Sequence, residues 1–368
     1  MEKFKHFLAR KDIVFTLQRY GIDALAAMAQ GLFCTLLVGT ILNTLGQQLG
    51  IGFLNKIIVS IGSGEGAAQY TIGGLASAMV GPGIAVAIGF ALHCPSLVLF
   101  SLIPVGFAAN AMGGAGGPLS VYFVAILAAE CGKLVSRETK IDILVTPIVT
   151  ILAGIGFASL VAAPIGAAAA AVGDFVKWAT LQQPFLMGIL VSVSVGMALT
   201  LPISSAAICA ALTLTGLAGG AAVAGCCAQM VGFAVMGFRE NRWGGLVAQG
   251  LGTSMLQMPN IVKNWKIWLP PILASAVTGP LATCLFRLEM NGAAVSSGMG
   301  TCGLVGQIGV YTGWLSDVAS GAKAAITAMD WIGLILICFI LPAVLSTFFC
   351  RILRKIGWIK EGDLKLEL

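Results

Sequence analysis

The stretch Glu289–Tyr311 carries Asn291, Ser296, Ser297, Thr301 and Gln307 on a backbone interrupted by six glycines, and it lies between two long apolar runs. Hydroxyls and side-chain amides donate and accept hydrogen bonds without bearing charge. Beside backbone amides freed by the glycines, they suit a neutral, hydroxyl-rich ligand such as a sugar. Within a bilayer, non-helical backbone is tolerated only where protein buries it or it lines a water-filled cavity. The same composition would also serve an external glycine-rich loop, or a helix whose small residues admit a close neighbour. Glu289 at the head of the stretch would accept a sugar hydroxyl or a proton, or else mark the polar end of a span.

His93 is the other candidate. If Ile84–Ala108 is one helix, its imidazole sits near mid-depth, where an ionisable group is costly and usually functional. Pro95 frees a carbonyl beside it. If the helix instead ends near His93, the residue is interfacial. Asn110 opens the glycine-rich loop Asn110–Pro118 and joins the candidate solute-binding set. Glu130 is expected to pair with Lys133 at i+3, and Glu65 and Asp317 to be exterior loop charges. Ten cysteines with no Cys-x-x-Cys, and only two histidines, give no metal site. The vicinal Cys226–Cys227 reads as a pair of small buried hydrophobes, or less simply as a redox pair. There is no Walker motif, no His-Glu-x-x-His, no Gly-x-Ser-x-Gly and no dinucleotide fingerprint. No autonomous catalytic site and no cofactor are therefore expected.

These residues must be positioned by membrane spans. Of 368 residues 58% are hydrophobic and 10% charged, with a mean hydropathy of +0.96; a soluble domain carries about 25% charged residues. The net charge of +6 reads as topology and lipid-headgroup contact rather than nucleic-acid binding. A basic amphipathic lead-in (1–23) precedes a transmembrane region (24–350) and a basic tail (351–368). The N-terminus runs into a full span rather than a short signal-peptide core, so no cleavable signal is expected. The expected class is an all-α polytopic membrane protein with about ten spans plus re-entrant hairpins. Short interrupted segments occur in both halves: Ala67–Gly83, with a turn at Gly81-Pro82-Gly83, and Asn110–Pro118; then Ile203–Gly220 and Glu289–Tyr311. Such pairs point to a transporter site near the midplane. Gly244–Trp265 is only weakly apolar and reads as a surface or re-entrant hairpin. With both termini cytoplasmic, most of the 21 Lys and Arg fall on that side, as the positive-inside rule requires.

Four segments carry a family likeness: Lys133–Ile148, Leu201-Pro-Ile-Ser-Ser205, Met258–Pro271 and Gly303-Leu-Val-Gly-Gln307. They resemble the second enzyme IIC-type family of the bacterial phosphotransferase system, which includes perfringolysin-regulator-like proteins, the toxin regulators. The resemblance runs over about residues 15–355. It implies a plasma-membrane sugar permease, a homodimer, in which one domain moves elevator-like against a dimeric scaffold while cytoplasmic IIB and IIA proteins supply phosphate. The chain departs from the better-known sugar IIC proteins in lacking a Gly-Ile-Thr-Glu-type hairpin motif and a fused IIA or IIB domain, which puts phosphotransfer in question. Two other functions remain open: a membrane sensor that regulates gene expression, and ion-coupled transport through His93 or Glu289.

Overall fold

A computed structural model describes residues 2–48, 50–62 and 68–366; Glu65 lies outside them. The described chain is helical apart from one two-stranded hairpin, β1 (Val59–Ile61) and β2 (Ala68–Tyr70). Among the described residues six helices are long and apolar enough to cross a membrane, or seven if one bent pair counts as a span. The chain forms two compact units, Met1–Ala168 and Ala169–Leu368.

In the first unit α1 (Glu2–Arg10) is followed by α2 (Gln18–Gln47). Next come α3 (Ile72–Ala78) and α4 (Val80–Ala91), bent by 54° at Met79. Thr71 caps α3 by accepting from the Gly74 amide. The expected turn at Gly81-Pro82-Gly83 is instead the first turn of α4, where proline's missing N–H has no helical partner to lose. The expected single helix Ile84–Ala108 is two. Pro95 holds Cys94 out of helical conformation, so α4 ends at Ala91 and α5 (Ser96–Gly113) starts afresh. Three residues, Gly114–Gly116, then suffice for the reversal into α6 (Gly117–Val135), so most of the expected loop Asn110–Pro118 is helical. Gly132 packs on Val98 and Gly117 on Asn110, which makes α5 and α6 antiparallel.

The division between the units falls within α7 (Asp142–Ala179), a 38-residue helix. It exposes Leu144, Ile148, Leu152 and Leu160, a face suited to lipid.

The second unit is built around α10 (Gly216–Met236), which follows α8 (Pro184–Thr200) and α9 (Ser205–Ala211). Almost all of α10 is buried, because its Gly, Ala and Cys side chains let neighbours approach to backbone distance. A Cβ on Gly225 would lie 1.8 Å from the Ser192 carbonyl oxygen. After α11 (Phe238–Val247), the segment expected to be a weak hairpin folds as short turns and α12 (Met258–Lys263). There follow α13 (Trp265–Leu285), α14 (Val305–Ser320) and α15 (Ala328–Lys355). Apolar residues of α10, α14 and α15, among them Val223, Cys227, Val310, Trp314 and Ile337, form one core cluster.

Candidate functional site

Ser192 and Gly196 of α8 face Gly225 of α10, and Thr200 reaches Gln229. The two helices therefore run parallel. Pro202 cannot donate to a continuing helix, and the chain reverses at Leu201–Ser204 into α9. That is one hairpin.

The glycine-rich stretch is a second. Its first limb is extended beside the start of α10, where Gly216 and Met290 exchange both backbone hydrogen bonds at 3.0 Å. It then descends through the turn Ala294–Gly298 to Gly300, against Cys226, and Thr301, whose hydroxyl donates to Met230 Sδ at 3.6 Å. From Gly216 to Met230 along α10 is about 21 Å at ~1.5 Å per residue. The chain turns through positive φ at Gly303 and Leu304. It returns as α14, with Gly309 against Ser296 and Gly313 against Asn291. Ser296 through Cys302 are all buried, as irregular backbone within a membrane domain must be.

The hairpins bind each other reciprocally. Ser205 Oγ donates to the Gly298 carbonyl at 2.7 Å, and Ser297 Oγ donates to the Leu214 carbonyl at 2.6 Å. The two interrupted segments singled out in this half of the sequence are thus one structure.

Near the ends of both hairpins lies an uncharged polar cluster that sequence reasoning missed. Gln229 Oε1 accepts from Trp268 Nε1 at 2.9 Å and from Thr200 Oγ1 at 3.2 Å, and Thr200 shares a further hydrogen bond with Ser254 at 2.8 Å. Gln229 Nε2 is buried with no partner, and so is Gln307 Oε1, although Gln307 Nε2 contacts Cys227 Sγ at 3.1 Å. Buried polar groups are overwhelmingly paired, so each exception calls for a reason. Beneath the cluster, Gln249, Gln257 and Asn260 form a chain of amides. The last two hold the carbonyls of Leu364 and Lys365. Asn241 grips Leu364 and Leu366, so the end of the chain is docked. The amides at 257, 260 and 264 follow an i, i+3, i+7 pattern that could have flagged this face.

Of the candidates from sequence, Glu289, Asn291, Ser296, Ser297, Thr301 and Gln307 all belong to the second hairpin. Ser297 and Thr301 are fully buried and committed to the bonds above. At the open end Asn291 Nδ2 reaches Asp317 Oδ2 at 2.8 Å and exposed Glu289 at 3.3 Å. His93 and Asn110 belong to the first unit, His93 just before the start of α5 and Asn110 about 21 Å along it at ~1.5 Å per residue.

The mid-helix setting read for His93 is corrected: the residue occupies the left-handed turn after α4 (φ 54°) and is largely exposed. Its Nδ1 lies 3.2 Å from Asp12 Oδ2. Asp12 also takes two bonds from Arg19, and these, with the nearby cations, lower its pKa to about 2. Buried Lys133 donates to the carbonyls of Asp12 and Leu92 and pairs with Glu130 at 2.9 Å, the expected i+3 pair. His93 thus helps pin the N-terminal segment.

A family model described as Phosphotransferase system, EIIC matches residues 22–366. The chain belongs to this family. EIIC proteins are the membrane permeases of sugar phosphotransferase systems, and the apolar helices agree with a multi-pass membrane protein. No curated protein and no solved structure matched. In this EIIC chain the arrangement offers uncharged donors and acceptors near the ends of two opposed hairpins.

Proposed function

We propose that this EIIC protein binds a neutral sugar-like solute between its two hairpin tips and carries it across the plasma membrane. The observation behind this reading is two buried, unpartnered groups, the Gln229 donor beside Thr200, Ser254 and Trp268 and the Gln307 acceptor at the second tip. A hydroxyl-rich ligand would complete both, and an indole face adds apolar contact for a sugar ring. The descending limb, with Ser296, Ser297 and Thr301, would then frame the tip rather than touch the solute in this conformation. Glu289 and Asn291, at the open end of the second hairpin, would meet it at entry or exit, and His93 and Asn110 of the first unit take no part in this reading.

On this reading ten apolar helical segments are membrane-embedded, with α8 and α14 as limbs of re-entrant hairpins. Both termini are cytoplasmic, and the permease works as a homodimer by an elevator-like movement. A separate cytoplasmic IIB protein would supply phosphate. A sensor role has one observation in its favour: the docked tail meets the loop below the cluster through Gln257.

Thermal-shift titration of the purified protein with neutral sugars and sugar acids tests the reading. A ligand at a hundred times its Kd stabilises by about 2.7 kcal/mol. A neutral sugar should raise the melting temperature and be taken up by proteoliposomes, and both effects should vanish in Gln229→Leu. Silence across the panel, with no uptake, refutes the proposal. Gene deletion that altered transcription and spared uptake would favour the sensor.

A further inference from the structure

Apart from the hairpins, the second unit holds a cavity of about 400 Å³ whose lining includes Arg239, Arg351 and Arg354. It lies where two candidate spans end together, α10 at Met236 and α15 at Lys355. One wall is apolar, with Met236 and Leu246, and Trp243 stands at it 71% exposed, edge-on to Phe238. Arg354 is held by Glu240 at 2.7 Å. Among the described residues Arg239 and Arg351 have no ion pair or hydrogen bond from their side chains. The Thr347 hydroxyl, also in the lining, is buried without a partner.

Basic runs after a span commonly serve only to fix topology. Here, however, two free guanidiniums, a third fixed one and an unpaired hydroxyl share one concavity, and its wall is apolar. Guanidinium forks match phosphate geometry. An exposed Trp beside them is the residue type that settles at headgroup depth. A soluble anion would gain nothing from the apolar wall, whereas a phospholipid fills both halves: phosphate among the arginines, upper acyl chain along Met236 and Leu246. We propose that this cavity is a binding site for an anionic phospholipid headgroup of the leaflet facing the α10 and α15 C-termini.

The test uses the full chain in nanodiscs of phosphatidylcholine, with or without phosphatidylglycerol, reading retained lipid by native mass spectrometry and Trp243 emission. Each arginine near a charged surface contributes about five-fold in affinity. Arg239→Gln and Arg351→Gln should each weaken phosphatidylglycerol retention by about that factor, and the double variant by about 25-fold. Arg351→Lys should keep most of the retention, which separates lost charge from lost folding. Lys360→Gln removes an exposed charge outside the cavity and should change nothing. Undiminished retention in the double variant, or an equal loss in Lys360→Gln, overturns the proposal. So does full displacement of the lipid by inorganic phosphate, which would make this a free-anion site.

Discussion

At Gly220 of α10 the chain leading into the second hairpin crowds the helix backbone. A Cβ there would stand 1.7 Å from the Leu288 carbonyl oxygen, against roughly 3.4 Å for ordinary contact. In Gly220→Ala the limb must retreat by about the difference. That movement pulls directly on the paired bonds between Gly216 and Met290. Overpacking costs about 1–3 kcal/mol, and two lost backbone bonds add about 0.5–1.5 kcal/mol each. Replacing a helical glycine by alanine returns about 1 kcal/mol. The net expectation is a loss of about 3 kcal/mol, with weaker solute binding because the limb carries the tip. Gly156→Ala in α7 is the control: nothing lies within 4 Å of its Cβ position, so it should gain about 0.5–1 kcal/mol. Thermal unfolding in detergent reads both. If Gly220→Ala unfolds as late as Gly156→Ala and binds solute normally, the limb does not pack on α10 as described.

Three further outcomes are expected. Gln229→Leu removes the acceptor shared by Trp268 and Thr200, and leaving those donors unpaired should cost about 1–3 kcal/mol and shift Trp268 emission. Asp12 has a folded-state pKa of about 2, lowered by Arg19 and then by His93 and Lys133; the stability it adds is complete above its unfolded value near 4 and is lost as pH falls from about 4 to 2. Limited proteolysis of residues 11–23 should rise over that window and be acid-independent in Asp12→Asn. Cys302 is fully buried at the second tip, so a maleimide should label it only when the hairpins part, and a saturating sugar, which would bias that parting, should speed labelling several-fold.

The second hairpin was legible because a stretch so rich in glycine, hydroxyls and amides between apolar runs can neither face lipid as a helix nor stand exposed there. Its pairing with Ile203–Gly220 was legible only as a second interruption. His93 misled because a largely apolar run of 25 residues masks a chain reversal: a single proline, Pro95, ends the helix through its effect on Cys94, and His93 adopts the left-handed turn conformation with φ 54°. The polar cluster left no mark at all. Thr200, Gln229, Ser254 and Trp268 are scattered over four segments, and a lone hydroxyl in an apolar run commonly bonds its own helix, as Thr278 does to Ala274. Tertiary structure alone brings such residues together. The docked tail did leave a trace in Leu364 and Leu366, alternate apolar residues among charges, both buried.

How the hairpins are joined bears on which part of the second unit moves. Between them run two side-chain-to-carbonyl bonds, Ser205 to Gly298 and Ser297 to Leu214, each contributing about 0.5–1.5 kcal/mol. Micromolar binding supplies about 8 kcal/mol, more than enough to bias a separation held by such bonds. The hairpins also meet backbone to backbone at Gly298 and Ser205, while the contact of α8 with α10 runs along both helices. There backbone meets backbone at Gly225, and Ser192 Oγ donates to the Ser275 carbonyl of α13 at 2.8 Å, so sliding would strip close packing and hydrogen bonds together. Opening between the hairpin tips therefore breaks less of this packing than sliding α8 along α10. It would also expose Gln229 and Gln307, whose missing partners a solute could then provide.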